Sequence, residues 1–196
     1  MGSSAQTLVL SELFPAPGEW TEADYFPLSE RGRLVELSNG QVEVIELPTN
    51  FHQLLLLRLS FALHAFVSAS RLGHVRFAPL PVRLWPGKVR EPDLIYMSAA
   101  HADRIGRYWG APDLAVEILS KGTEHKDRET KRGEYAKAGI AEYWIVDPED
   151  KKVELLRLGA SGMYETAAIL GTQDHLTSAL FPGFSLDLAD VFAEEN

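Results

Sequence analysis

The chain has 196 residues, 45% of them hydrophobic, with no cysteine and a formal net charge of -9. Those values describe one folded domain with room for a core, and they exclude disulfides and thiolate metal ligands. They also exclude a general nucleic-acid coat protein, whose non-specific affinity depends on Lys and Arg.

The opening "MGSSAQTLVLSELF" lacks the basic n-region of a secretory leader, and the absence of cysteine suits a reducing compartment, so the expected location is the cytoplasm. "TEADYFPLSE" reads as a short helix, with Thr21 as cap and Glu22 and Asp24 in its first turn. "RLVELSNGQVEVIEL" reads as two alternating apolar runs turned at Asn39-Gly40, a hairpin. The apolar stretch from Phe51 to about Arg71 approaches membrane-spanning length, but His52, Gln53, Arg58 and His64 interrupt it, and a buried core helix is expected. Strand-like segments follow: "HVRFAPLPVRLW", broken by Pro79 and Pro81, then "DLIYMS" and "DLAVEILS", each opened by Pro-Asp-Leu. "GTEHKDRETKRGEYAKAG" is expected to be helical, capped by Thr123 and stopped by Gly139. "AEYWIVDPEDKKVELLRL" reads as a hairpin, "MYETAAIL" as a further strand, and "FPGFSLDLADVF" as a tail closing in a short helix. No internal repeat is present, and the order of elements is that of an α/β or α+β domain around one central sheet.

Charge is unevenly spread along these elements. Between His101 and Ile140 there are eight Lys plus Arg against seven Asp plus Glu, which leaves 11 against 21 elsewhere. A polyanion would be met in that segment.

The second Pro-Asp-Leu strand holds the first sign of chemistry. Side chains alternate along a strand, so Asp113, Ala115, Glu117 and Leu119 share one face, and Leu114, Val116 and Ile118 the other. Both faces are largely apolar, which places Glu117 in a core. A buried carboxylate must protonate, pair with a cation or bind a metal. Asp113 stands four residues away, about 13 Å along a strand, too far to share one ion with Glu117. Asp93, at the start of the neighbouring run, is the better partner, and two carboxylates with water suit a hard divalent cation. On the following helix Asp127, Lys131, Tyr135 and Ala138 lie on one face, which would aim Lys131 at the edge holding Glu117.

Asp93 after Pro92, followed by Glu117, looks like the PD-(D/E)XK signature of the restriction-endonuclease-like superfamily. More narrowly, the chain resembles the Uma-two family of bacterial restriction endonucleases. The match lies in Asp113, Glu117 and Ser120, then Asp127, Lys131 and Tyr135, then Gly139, Glu142, Tyr143, Trp144, Asp147 and Pro148. "VELSNGQVEV" and "PTNFHQ" extend it upstream, so that it spans about Leu34 to Leu158. The resemblance implies a single domain over 1–196: a helix and hairpin at about 20–47, a core of mixed sheet and helices at about 51–158, and closing strands and a short helix at about 162–193.

It also implies metal-assisted phosphodiester hydrolysis on nucleic acid, with DNA as the expected partner and a homodimer as the expected assembly. Asp93 and Glu117 would hold Mg²⁺ or Mn²⁺, and Lys131 would orient water or balance phosphate charge. Glu36 would be a further acid near the metal, and His52, Asp127 and Tyr135 would support the site. One departure matters: the superfamily lysine belongs two residues after the Glu, where this chain has Leu119, so the lysine is expected to have moved to Lys131. Lys121 and Lys126 do not fall on the helical face of Asp127, Lys131 and Tyr135 and rank below it. The alternative is a catalytically inactive fold that dimerises or binds a partner, its charges paired with one another. A two-carboxylate glycosidase is weaker, because it leaves Lys131 without a role.

Overall fold

Two sheets organise residues 14–194, the part of the chain described by the computed structural model; the opening stretch read for a leader lies almost wholly outside them. The larger sheet has six strands in the order β10-β9-β8-β7-β6-β3, comprising β3 (Gly73–Phe77), β6 (Leu94–Ser98), β7 (Leu114–Ile118), β8 (Glu142–Asp147), β9 (Lys152–Leu158) and β10 (Tyr164–Leu170). The smaller has the order β2-β1-β5-β4, comprising β1 (Val35–Ser38), β2 (Gln41–Val44), β4 (Val82–Trp85) and β5 (Lys88–Arg90). β11 (His175–Leu176) and β12 (Leu186–Asp187) form a short separate pair. The helices are α1 (Glu22–Glu30), α2 (Asn50–Ala69), α3 (Arg132–Lys137) and α4 (Leu188–Phe192). This is a mixed sheet flanked by helices, the architecture expected from the order of elements.

β7 lies inside the larger sheet, antiparallel to β6 and parallel to β8. A parallel pair needs a crossover rather than a tight turn, and the helical segment ending in α3 supplies it. Leu114, Val116 and Ile118 pack in one cluster with Leu55, Leu59 and Leu63 of α2. Ala115 and Leu119 pack on the other side with Tyr135, Tyr143 and Ile145. Burial of both faces explains why the strand reads as an unbroken apolar run, and it places Glu117 on the α3 side. By length and composition α2 could cross a membrane, but its Leu55, Leu59, Leu63 and Val67 recur at helical spacing and are buried in the cluster beneath it. Thr49 starts that helix by accepting the His52 N–H at 3.1 Å.

The hairpin β1–β2 turns at Asn39 and Gly40, whose φ values of 51 and 72 are both positive, as a primed two-residue turn requires. It does not stand apart from the middle of the chain. β5 pairs with β1, and β4 with β5, joining it to later residues.

The repeated Pro-Asp-Leu has a structural meaning. Leu94 faces Val116 and Tyr96 faces Leu114, so the residue before each strand lies beside the end of the other. Asp93 Oδ2 accepts the Ile118 N–H at 2.7 Å, and Asp113 Oδ2 accepts the Ser98 N–H at 2.7 Å. Each aspartate satisfies a backbone donor just beyond the ladder, a group that is costly to bury unpaired. The two motifs form a reciprocal clasp across β6 and β7.

Candidate active site

A cleft of about 360 Å³ opens at the end of this clasp where β7 finishes, and Glu36, His52, Asp93, Glu117, Asp127 and Lys131 are among its lining residues. β6 brings Asp93, β7 brings Glu117, β1 brings Glu36 and the first turn of α2 brings His52. Tyr135, the remaining residue singled out in the sequence, stands behind Glu117 and donates its hydroxyl to Oε1 at 2.5 Å.

Lys131 Nζ lies 2.9 Å from Glu117 Oε1, 2.8 Å from Asp127 Oδ1 and 3.8 Å from Glu36 Oε1. Asp127 Oδ1 is nevertheless buried without a hydrogen bond: the ammonium faces it as a charge, off the angle of a bond. Burial opposes the lysine's charge, but Glu117, Glu36 and Asp127 outweigh it and hold Lys131 cationic. The Glu117 carboxyl is raised to about 8, chiefly by burial; Lys131 pulls against that rise, and the neighbouring charges of Asp127 and Asp93 add to it. The cleft therefore concentrates negative charge around a deeply buried acid.

His52 Nε2 stands 3.2 Å from Asp93 Oδ2, while its Nδ1 is buried without a partner. Burial disfavours the imidazolium, yet hydrogen bonding and the charge of Asp93 raise the His52 pKa overall. Asp113, by contrast, sits at the far end of the strand beside His101 Nδ1 at 2.6 Å. Tyr143 and Trp144 are fully buried, as core residues rather than base-stacking platforms.

The helix that carries Lys131 departs from expectation. Residues Lys126–Lys131 form a π-helical turn before α3 begins. Thr123 does not cap it; its hydroxyl pairs with the Ser120 hydroxyl at 3.1 Å. A turn closed by i→i+5 bonds holds more residues than an α-helical one, which swings Lys126 towards the face of Lys131 that regular helical spacing had denied it. Lys126 Nζ reaches Glu36 Oε2 and Glu43 Oε2, each at 2.6 Å. Gly139, with φ of 78, ends the helix as expected.

Behind the cleft lies a cluster that carries no sequence motif. Arg90, 1% exposed, donates from Nη1 to Glu36 at 2.9 Å and to Glu43 at 3.0 Å, and from Nε to Glu134 at 2.7 Å. Lys88 donates to Glu134 at 2.7 Å and to the Ser38 hydroxyl at 2.6 Å. Burial alone would raise the Glu36 carboxyl, but Lys131, Arg90 and Lys126 hold it down at about 2. The only sequence signal was the alternation of Lys88 and Arg90 about Val89, which reads as an exposed face.

A family model described as "Uma2: Putative restriction endonuclease" matches residues 22–189. The chain belongs to that family. A crystal structure described as that of "a putative nuclease belonging to DUF820", from Anabaena variabilis ATCC 29413, is similar in fold, with a TM-score of 0.72 and 18% identity over 88% of this chain and 97% of that one. No curated protein matches.

The donor set of this Uma2 chain fits an open divalent-cation site rather than an enclosed one. Among the described residues no three His, Asp or Glu side chains are gathered as a metal cage. The protein contacts to Asp93 and Glu117 fall on Oδ2 and Oε1, so Oδ1 and Oε2 accept no hydrogen bond among the described residues. Mg²⁺ keeps several waters and is commonly held by one or two carboxylates together with substrate phosphates. Two carboxylates with free oxygens on one cleft meet that requirement.

Proposed function

We propose that this Uma2 protein is a metal-dependent endonuclease that hydrolyses phosphodiester bonds of DNA. The observation that carries the reading is the convergence of Asp93, Glu117 and Lys131 on one cleft, with the helical lysine 2.9 Å from Glu117 where the strand itself offers only Leu119.

Asp93 and Glu117 are the proposed ligands of Mg²⁺ or Mn²⁺, which when bound polarises the scissile phosphate and acidifies water. The oxygen of water forms the new bond to phosphorus, the ester bond breaks, and the leaving oxygen takes a proton. Lys131 orients that water or balances charge on the phosphate oxygens. Tyr135 fixes Glu117 through its hydroxyl, and His52 and the Ile118 N–H fix Asp93. Glu36, whose two oxygens already meet Arg90, Lys126 and the Glu91 N–H, positions the lysines, and Asp127 holds Lys131. We place this activity in the cytoplasm and read a second copy of the chain as supplying the second cut of a duplex.

A second reading has its own support. Asp93 is satisfied by a backbone N–H and Lys131 is enclosed by three carboxylates, as in an inactive fold whose charges serve one another.

One assay separates the two. Supercoiled plasmid is incubated with the protein in Mg²⁺, Mn²⁺ or EDTA, beside Asp93→Ala and Glu117→Ala variants shown to be folded. Metal-dependent nicking that disappears in both variants is expected, and linear product made in one encounter reports paired cuts by two copies. A folded protein that cuts nothing in either metal favours the inactive fold.

A further inference from the structure

The cleft holds two lysines of different kinds. Lys131 is enclosed by Glu117, Asp127 and Glu36, and its side chain is 8% exposed. The Lys126 side chain is 29% exposed, and its ammonium rests between Glu36 and Glu43 at the same cleft. Arg90 also reaches both of those carboxylates and remains with them if Lys126 leaves. Lys126 and Lys131 are the only Lys or Arg side chains lining the cleft among the described residues, against six acidic ones. A polyanion entering there meets a net negative wall. A cation that is accessible, mobile on its stem and replaceable in its ion pair is what such a wall needs.

We infer that Lys126 is the phosphate-binding residue of the cleft, leaving Glu43 and Glu36 to grip a DNA phosphate beside the scissile one. The inference rests on the nuclease reading and adds a residue to it. The π-helical turn is what makes the assignment geometric, because its extra width lets Lys126, five residues before Lys131, line the same cleft. Glu43, 33% exposed on the hairpin strand β2, is then a competitor for the lysine rather than a support for it.

The test is equilibrium binding of a short fluorescein-labelled duplex DNA in Ca²⁺, titrated over a range of NaCl, for wild type, Lys126→Met, Lys126→Arg, Glu43→Gln and the Lys126→Met/Glu43→Gln double variant. Lys126→Met should weaken binding by about tenfold, the loss of one charge-assisted bond. It should also reduce the slope of log K against log salt by about 0.9, one phosphate contact. Lys126→Arg should restore that slope, which a purely structural lysine would not govern. Glu43→Gln should tighten binding by freeing Lys126, and this gain should vanish in the double variant.

Unchanged affinity and slope in Lys126→Met, or a Glu43→Gln gain of equal size in both backgrounds, overturns the inference. If Lys126→Met fails to fold, the Glu43→Gln arm still decides: weaker binding would make Lys126 a structural partner of that glutamate. Wild-type protein that binds no duplex and nicks no plasmid overturns the nuclease reading itself, and this assignment with it. Wild type that cuts DNA without regard to Lys126 overturns this assignment alone.

Discussion

Asp93 and Asp113 share a Pro-Asp-Leu context and the same kind of bond to a backbone N–H, each 2.7 Å long. They differ in what else they face: Asp93 meets His52 and the cleft, whereas Asp113 meets His101 at the opposite end of β7. Removing either should leave a backbone donor unpaired, a loss of about 1 to 3 kcal/mol. Thermal melts of Asp113→Ala and Asp93→Ala should therefore show comparable destabilisation, while plasmid cleavage survives in the first and disappears in the second. Loss of cleavage in a folded Asp113→Ala protein would show that the clasp, and not the carboxylate in the cleft, is what matters. Strand reach alone separated Asp113 from Glu117 in the sequence. What no spacing could reveal is that Asp93 has a second duty, because the Ile118 N–H becomes an orphan only once β6 and β7 are in register.

The π-helical turn at Lys126–Lys131 decides which side chains of the crossover reach the cleft. Thr130 is exposed within it, so its deletion can restore ordinary helical hydrogen bonding without opening the core. The shortened protein should melt close to wild type, and Lys126, now four positions before Lys131 in a regular helix, keeps that face and its reach to Glu36 and Glu43. Cleavage should be retained together with the helical circular dichroism; lost cleavage would show that the wide turn is itself required. Elements whose signal is local were legible in the sequence: the Asn39-Gly40 hairpin, the doubly buried β7, the helix stop at Gly139. Those decided by distant packing were not. β5 spans three residues, two of them basic, and becomes a strand only because β1 and β4 pair with it and Glu134 accepts its charges. The π turn and Lys126 were missed for a related reason, since a regular helical period was applied across a segment that does not keep it.

At the scale of the molecule, Arg90 and Lys88 bind the smaller sheet to the helix that serves the larger one, both through Glu134 of α3. Burial would raise the Glu134 carboxyl, but hydrogen bonds from Arg90 and Lys88 lower it below its ordinary value of 4.5. A depressed carboxylate contributes stability that is fully present above its unfolded pKa and is lost as pH falls through the folded one. Glu134→Gln should therefore cost about 3 kcal/mol at neutral pH, and denaturant melts should show the gap to wild type closing as pH drops below 4.5. A gap that stays constant into acid would mean that Glu134 carries no such linkage. The reciprocal clasp of β6 and β7 bears on descent as well. Asp93 serves the sheet whether or not any phosphodiester is cut, so a lineage released from catalysis would still be held to keep it. Glu117 and Lys131 could meanwhile be exchanged together for an apolar pair. In such a lineage the Pro-Asp of the motif would survive as a fossil of the fold, long after the enzyme had gone.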